Sequence, residues 1–203
     1  MKILALSDEE VGFIYAPGMR ESMGDVGLIV GCGDLPARYL EYVVTQLNVP
    51  LVYVPGNHDP DDLRVPGGRL LDGSVVHVAG FTIGGLGGSR RYKRDGCHQY
   101  TESEMQWRVV QLAPRLVGSR LRRGRGLDIF ISHSPPLGIH DGADPAHQGF
   151  AAFRSFLSAF RPSLMLHGHS HARRNVETME TQFLDTHVLN VYPYRLIDWP
   201  EAR

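Results

Sequence analysis

The run Val49-Pro50-Leu51-Val52-Tyr53-Val54-Pro55 leads straight into Gly56-Asn57-His58-Asp59. β-Branched and apolar residues ending in Pro-Gly read as a buried strand that stops in a tight turn. An amide, an imidazole and a carboxylate then stand side by side at the strand's carboxyl end, the edge on which open α/β sheets bind ligands. Turn formation does not call for three polar groups of three chemical kinds. The pattern recurs along the chain, since Asp8, Asp34, His133, His169 and His171 all follow similar apolar runs.

Working outward, Lys2–Leu6 and residues 26–30 read as two further buried strands, closed by Ser7-Asp8-Glu9-Glu10 and Gly31-Cys32-Gly33-Asp34. Between the second of these and the 49–55 strand, Pro36 opens a helical segment with Leu40, Val43, Val44 and Leu47 at a period near 3.6. Strand, connection, strand, helix, strand argues for an α/β sheet with parallel strands. Residues 12–24 read as a mixed segment with a turn at Pro17-Gly18. Residues 75–84 read as a hairpin around Ala79-Gly80, followed by a glycine-rich loop over 84–89. Thr101 and Glu104 form a capping box for a helix over 102–117, with Trp107, Leu112 and Leu116 expected in its core face. Arg115 to Arg125 reads as a solvated basic loop, with nucleic-acid contact as the alternative. Strands are expected over 127–131 and 163–166, a helix over 149–160, and short antiparallel strands from 182 to 199. The organisation is that of a single domain, 1–203.

Composition narrows the chemistry. A formal net charge of −1 gives no electrostatic case for nucleic acid or an anionic membrane. No apolar stretch is long enough to span a bilayer, and the first six residues are too short for a signal core. Two cysteines without a secretory signal make a reducing cytoplasm the expected location. Ten histidines against two cysteines direct any metal chemistry to nitrogen and oxygen ligands.

Five strand ends carry a potential metal ligand: Asp8, Asp34, Asn57, His133 and His169. Carboxylate, amide oxygen and imidazole suit hard or borderline divalent ions, and there are too many donors for one octahedral ion and about enough for two. A carboxylate can bridge such a pair, which sits roughly 3.5–4 Å apart in two-metal hydrolases.

In this order, Asp8-x-Glu10, Gly33-Asp34, Gly56-Asn57-His58-Asp59, Ser132-His133 and Gly168-His169-Ser170-His171 resemble the motif set of the calcineurin-like metallophosphoesterases. Pro135-Pro136, Asp141 and Gly149, followed by a helix, resemble the small, uncapped metallophosphodiesterase-domain type within that family. The resemblance implies a four-layer βαβα sandwich of two mixed sheets flanked by helices. It implies that Asp34 bridges two ions, that Asp8 and His171 complete the first site, and that Asn57, His133 and His169 hold the second. His58 would donate a proton or hydrogen bond to the leaving oxygen, and Asp59 would orient His58 or an adjacent loop. The position of Glu10 is usually His in the family. Glu10 either ligates the first ion, giving a harder donor set that favours Mn, with Fe, Zn, Ni or Mg as alternatives, or it faces water.

The expected activity is hydrolysis of small phosphodiesters, such as cyclic nucleotides, by attack of a metal-bound hydroxide. The alternatives are a phosphomonoesterase, a nuclease, or a binding scaffold with impaired catalysis. Outside the motif set, His167 reads as structural, His147 as a group near the active edge, and Cys32 as a small buried filler. Arg90, Arg91, Arg173 and Arg174 are candidates for holding substrate, with surface charge as the plainer role.

Overall fold

The computed structural model describes residues 1–123, 126–171 and 179–199. Arg125, Arg173 and Arg174 therefore lie outside the described residues.

One sheet contains β1 (Lys2–Leu6), β2 (Val26–Gly31), β3 (Leu51–Tyr53), β4 (Gly68–Leu70) and the late strand β13 (Tyr194–Asp198), in the order β13-β1-β2-β3-β4. Only β13 runs antiparallel to its neighbour. The other sheet contains β5 (Ser74–Val78), β6 (Phe81–Leu86), β9 (Ile129–Ser132), β10 (Leu164–His167), β11 (Glu180–Phe183) and β12 (Thr186–Asn190), in the order β11-β12-β10-β9-β6-β5. Its four inner strands are parallel and its two edges antiparallel. A small pair, β7 (Ser89–Arg90) and β8 (Gln99–Tyr100), stands apart.

Alternation along the strands builds the layers. Ile3, Ala5, Leu28, Val30 and Val52 point to a core shared with Ile129, Ile131, Leu164, Leu166 and Leu189 of the second sheet. The intervening Leu4, Leu6, Ile29, Leu51 and Tyr53 face the opposite way, against α1 (Met19–Met23) and α2 (Ala37–Leu47). Phe130, Met165 and Val188 likewise turn outward to α3 (Glu102–Arg123) and α4 (Ala151–Phe160). The layer order is helices, sheet, sheet, helices, the expected sandwich. Both faces of each sheet are covered, so the inner strands read as continuous apolar runs.

The hairpin forms where expected, with Ala79 and Gly80 both at positive φ, the backbone that tight two-residue hairpins require. The capping box is also made: Glu104 Oε2 accepts the Thr101 N–H at 2.7 Å, and Thr101 Oγ1 accepts the Glu104 N–H at 3.3 Å.

Other expectations change. Gly84 and Gly85 are not loop but part of β6. A Cβ on Gly85 would sit 2.8 Å from Val54 Cγ1, so glycine here lets the two sheets approach each other. The expected basic loop begins as helix, because α3 runs on to Arg123. Residues 12–24 contain the short α1, anchored by buried Met19 and Met23. Trp107 is 61% exposed rather than core. Met105, Val109, Leu112 and Leu116 form the buried face, and Trp107 lies about 200° around the helix from Met105. Among the described residues no helix is long and apolar enough to cross a membrane.

Burial separates two aromatic truncations. Phe153→Ala, at a fully buried site against Phe130 and Phe150, is expected to cost about 3–5 kcal/mol. Trp107→Ala should stay within about 0.5 kcal/mol. Urea midpoints at constant m-value measure both, and a comparable loss at Trp107 would show a covered face.

Candidate metal centre

The carboxyl ends of β1, β2, β3, β9 and β10 deliver Asp8, Asp34, Asn57, His133 and His169 to one place. Three of the turns use strained backbone: Asp8, Asp34 and His169 have φ of 64°, 57° and 65°, a region that costs most side chains energy and that Asp tolerates better than most. At Gly56 a Cβ would collide with the Asp34 carboxylate, so the Gly-Asn-His-Asp turn can close on Asp34 only with glycine there.

His133 is the hub. Its ring is fully buried, and Nδ1 donates to the Cys32 carbonyl at 2.8 Å. That leaves Nε2 facing Asn57 Oδ1 at 3.1 Å, His169 Nδ1 at 3.1 Å and Asp34 Oδ2 at 3.3 Å. His169 is oriented in the same manner: Nε2 donates to the Ala146 carbonyl at 2.7 Å, so Nδ1 presents a lone pair. Imidazoles held by a carbonyl on one nitrogen and bare on the other are what metal sites use. On the other side, Asp8 Oδ1 lies 3.3 Å from His171 Nε2, and Asp8 Oδ2 accepts the His169 N–H at 3.0 Å. One ligand atom each from Asp8, Asp34 and His133 falls within 4.8 Å of the other two.

The electrostatics follow. Burial alone would raise the Asp8 carboxyl, but the His171 hydrogen bond and the His133 charge hold it down at about 2. Asp34 is also lowered, burial being outweighed by the His133 charge and hydrogen bond and the His58 N–H. Burial depresses His133, yet Asp34 and Asp8 raise it to about 9. His169 falls to about 4 from burial and the neighbouring His133 charge. His171 is raised by its hydrogen bond to Asp8. In the bare protein a proton on His133 thus balances two buried carboxylates. Two oxygen anions, an amide oxygen and convergent imidazole nitrogens fit a divalent cation as replacement for that proton.

Six candidate ligands, Asp8, Asp34, Asn57, His133, His169 and His171, are brought together. Glu10 is not among them, because its Oε1 accepts from Arg38 Nη2 at 2.9 Å. His58 sits on the turn with its side chain exposed, and its backbone N–H donates to Asp34 Oδ1 at 2.8 Å. Asp59 Oδ2 accepts the N–H groups of both Gly56 and Asp34 at 2.8 Å, clasping two ligand-bearing loops together. Two contacts had no sequence signal. Tyr92 Oη accepts from Asn57 Nδ2 at 3.3 Å, and the Tyr192 ring stacks on His171 at 4.5 Å. His147, expected near the active edge, has its ring 5.1 Å from that of His169 and pairs with Asp144. Arg90 and Arg91 are engaged by Glu102 and Glu104.

Against known families, residues 22–173 match the calcineurin-like phosphoesterases. An uncharacterized protein of Methanocaldococcus jannaschii is 23% identical over 192 residues, covering 87% of this chain and 83% of its own length. The solved structure of TT1561 of Thermus thermophilus superposes with a TM-score of 0.63 at 16% identity, over 94% of this chain and 88% of that one. Another solved chain gives the same TM-score at 17% identity, over 94% and 90%. These likenesses carry the fold.

Because His133 is raised to about 9 without a cation, it is protonated at pH 7, and loading the site must expel that proton. Calorimetric titration with Mn²⁺ in buffers of different ionisation enthalpy should report proton release, from His133 and from the raised His171, with apparent affinity rising from pH 6 to pH 9. A binding heat independent of buffer would contradict this charge assignment.

Proposed function

Since the chain belongs to the calcineurin-like phosphoesterases, a family of metal-dependent phosphoric ester hydrolases, we propose that it is a binuclear phosphodiesterase of small, open-groove type. The observation that carries this reading is the convergence of His169 Nδ1, Asn57 Oδ1 and Asp34 Oδ2 on one atom, His133 Nε2. A second pair, Asp8 and His171, adjoins that group, with His171 Nε2 3.3 Å from Asp8 Oδ1.

The residues divide the work. Asn57, His133 and His169 would hold one ion, Asp8 and His171 the other, with Asp34 between them. Such ions supply Lewis acidity that lowers the pKa of water toward about 7 and offsets charge on phosphate oxygens. His58, exposed on a turn anchored to Asp34 through its own N–H, would give a proton to the leaving oxygen. Asp59 acts through the backbone, holding the Asn57 turn on the Asp34 turn. Glu10 is assigned outside the ligand set, supported by its ion pair with Arg38. The donor set is then less hard than one including Glu10, but oxygen ligands still favour Mn over softer-ligand ions. Diesters are favoured over monoesters because the described residues form the two-sheet sandwich and one small strand pair, with no second folded unit among them. The scaffold alternative is supported by Glu10 alone, and the presence of His58 and of every candidate second-site ligand favours the enzyme.

Two experiments test the reading. Purified protein supplied with Mn²⁺ should release nitrophenol from bis(p-nitrophenyl) phosphate. His58→Ala should lower kcat about 10²–10⁴-fold with metal content unchanged, whereas Asn57→Ala and His169→Ala should lose metal and turnover together. Absence of turnover with Mn, Fe, Co, Ni and Zn alike would sink the proposal. For Glu10, the Ala variant is expected to retain both metal stoichiometry and activity, and loss of one bound ion would restore Glu10 as a ligand.

A further inference from the structure

Beside the metal cluster, two imidazoles and a hydroxyl form a chain that none of the assigned roles uses. His140 lies on the loop between β9 and α4, His167 ends β10, and Thr181 lies on β11. His140 Nδ1 is 2.9 Å from His167 Nε2, and His140 Nε2 is 2.9 Å from Thr181 Oγ1. The remaining nitrogen, His167 Nδ1, is 3.0 Å from the Gly168 carbonyl oxygen.

One carbonyl fixes every hydrogen in this chain. The Gly168 oxygen can only accept, so His167 carries its proton on Nδ1. A neutral imidazole then has a bare Nε2, which must accept. The donor to it is His140 Nδ1–H, and His140 Nε2, bare in turn, accepts from the Thr181 hydroxyl. No other arrangement of neutral rings satisfies all three contacts.

The same carbonyl closes the turn that presents His169. The Ser170 N–H donates to the Gly168 oxygen at 2.8 Å, an i to i+2 turn with His169 at its centre and a φ of 65°. A turn of that hand is rare and strained, and a non-glycine residue is held in it only when its surroundings over-determine it. His167 Nδ1 is the second donor on that oxygen, and the Gly168 N–H is taken by the His133 carbonyl at 3.0 Å. His167 is completely buried, so with no donor on its Nε2 a polar atom would be stranded away from water.

We infer that His140 is a positioning residue for the metal centre. It locks His167 in the Nδ1–H tautomer and thereby pins the Gly168 carbonyl that holds His169 with its Nδ1 toward His133. The inference rests on the assignment of His169 as a metal ligand, and it adds a residue that lies 29 positions earlier in the chain and touches no ligand itself.

The test uses the full chain. In ¹⁵N-labelled, metal-free protein, long-range ¹H–¹⁵N spectra should show His140 and His167 both protonated on Nδ1. His140→Leu, which removes the donor, should weaken Mn²⁺ binding at least ten-fold by electron paramagnetic resonance. His140→Asn, whose side-chain amide nitrogen stands where Nδ1 stood, should bind within about three-fold of the unmodified protein. Val43→Ala is a control for lost stability alone, because Val43 is fully buried on α2 among apolar groups of the other sheet. It should lower Tm without changing Mn²⁺ affinity. An Nε2–H tautomer at His167, equal affinities of the Leu and Asn variants, or an equal affinity loss in Val43→Ala would each overturn the inference. Absence of Mn²⁺ binding by the unmodified protein would instead overturn the metal assignment, and the tautomer spectrum would still decide the hydrogen-bond chain.

Discussion

Two carboxylates, Asp8 and Asp34, are buried within a few ångströms of one another and of His133. Like charges so close and so far from water are expensive, and much of the local structure compensates for them. Backbone N–H groups of His169 and His58 are turned onto their oxygens. His133 is raised high enough to stand as a cation between them. The compensation is partial by design: a proton satisfies the charge, but the amide oxygen of Asn57 and the lone pair of His169 point at the same place without need of one. A single Nε2–H cannot serve three acceptors at once, whereas a cation in its place could take several of them as ligands.

The sandwich provides the rigidity that such an arrangement needs. The candidate ligands come from the ends of strands whose alternate residues are locked into the inter-sheet core on one side and against helices on the other. Asp59 then ties the β2 and β3 loops together across the mouth, two N–H groups on one oxygen. Burial raises the Asp59 carboxyl, and the same two N–H groups work against that rise. The first sheet and the second contribute to one centre because their carboxyl edges lie on the same side, which places His133 and His169 opposite Asp8, Asp34 and Asn57.

Much of this is legible in the chain. Apolar runs ending in Gly- or Pro-containing turns mark five of the strand ends, and the ligand-bearing motifs stand on them. What pattern reading loses has particular causes. Gly84-Gly85 reads as loop because glycine disfavours strands, while the real constraint is the closeness of the facing sheet. Trp107 reads as core by residue type, although the buried positions of its helix repeat from Met105, two residues out of phase. Glu10 occupies a ligand position in the motif, and only the reach of Arg38 from α2 shows where its charge goes. Tyr92 and Tyr192 touch the centre from loops with no periodicity, and His140 needs three-dimensional neighbours before its single tautomer can be read.

The closure of the first candidate site has a bearing on biosynthesis. Asp8 and His171 are separated by 163 positions, and the His169 N–H that steadies Asp8 comes from equally far along. A nascent chain therefore emerges with its earliest acidic residue exposed and can complete that half of the centre only after His171 has left the ribosome. A cation held by this half of the candidate centre would therefore wait on the docking of β1 and β10, two strands from opposite ends of the chain and from different sheets.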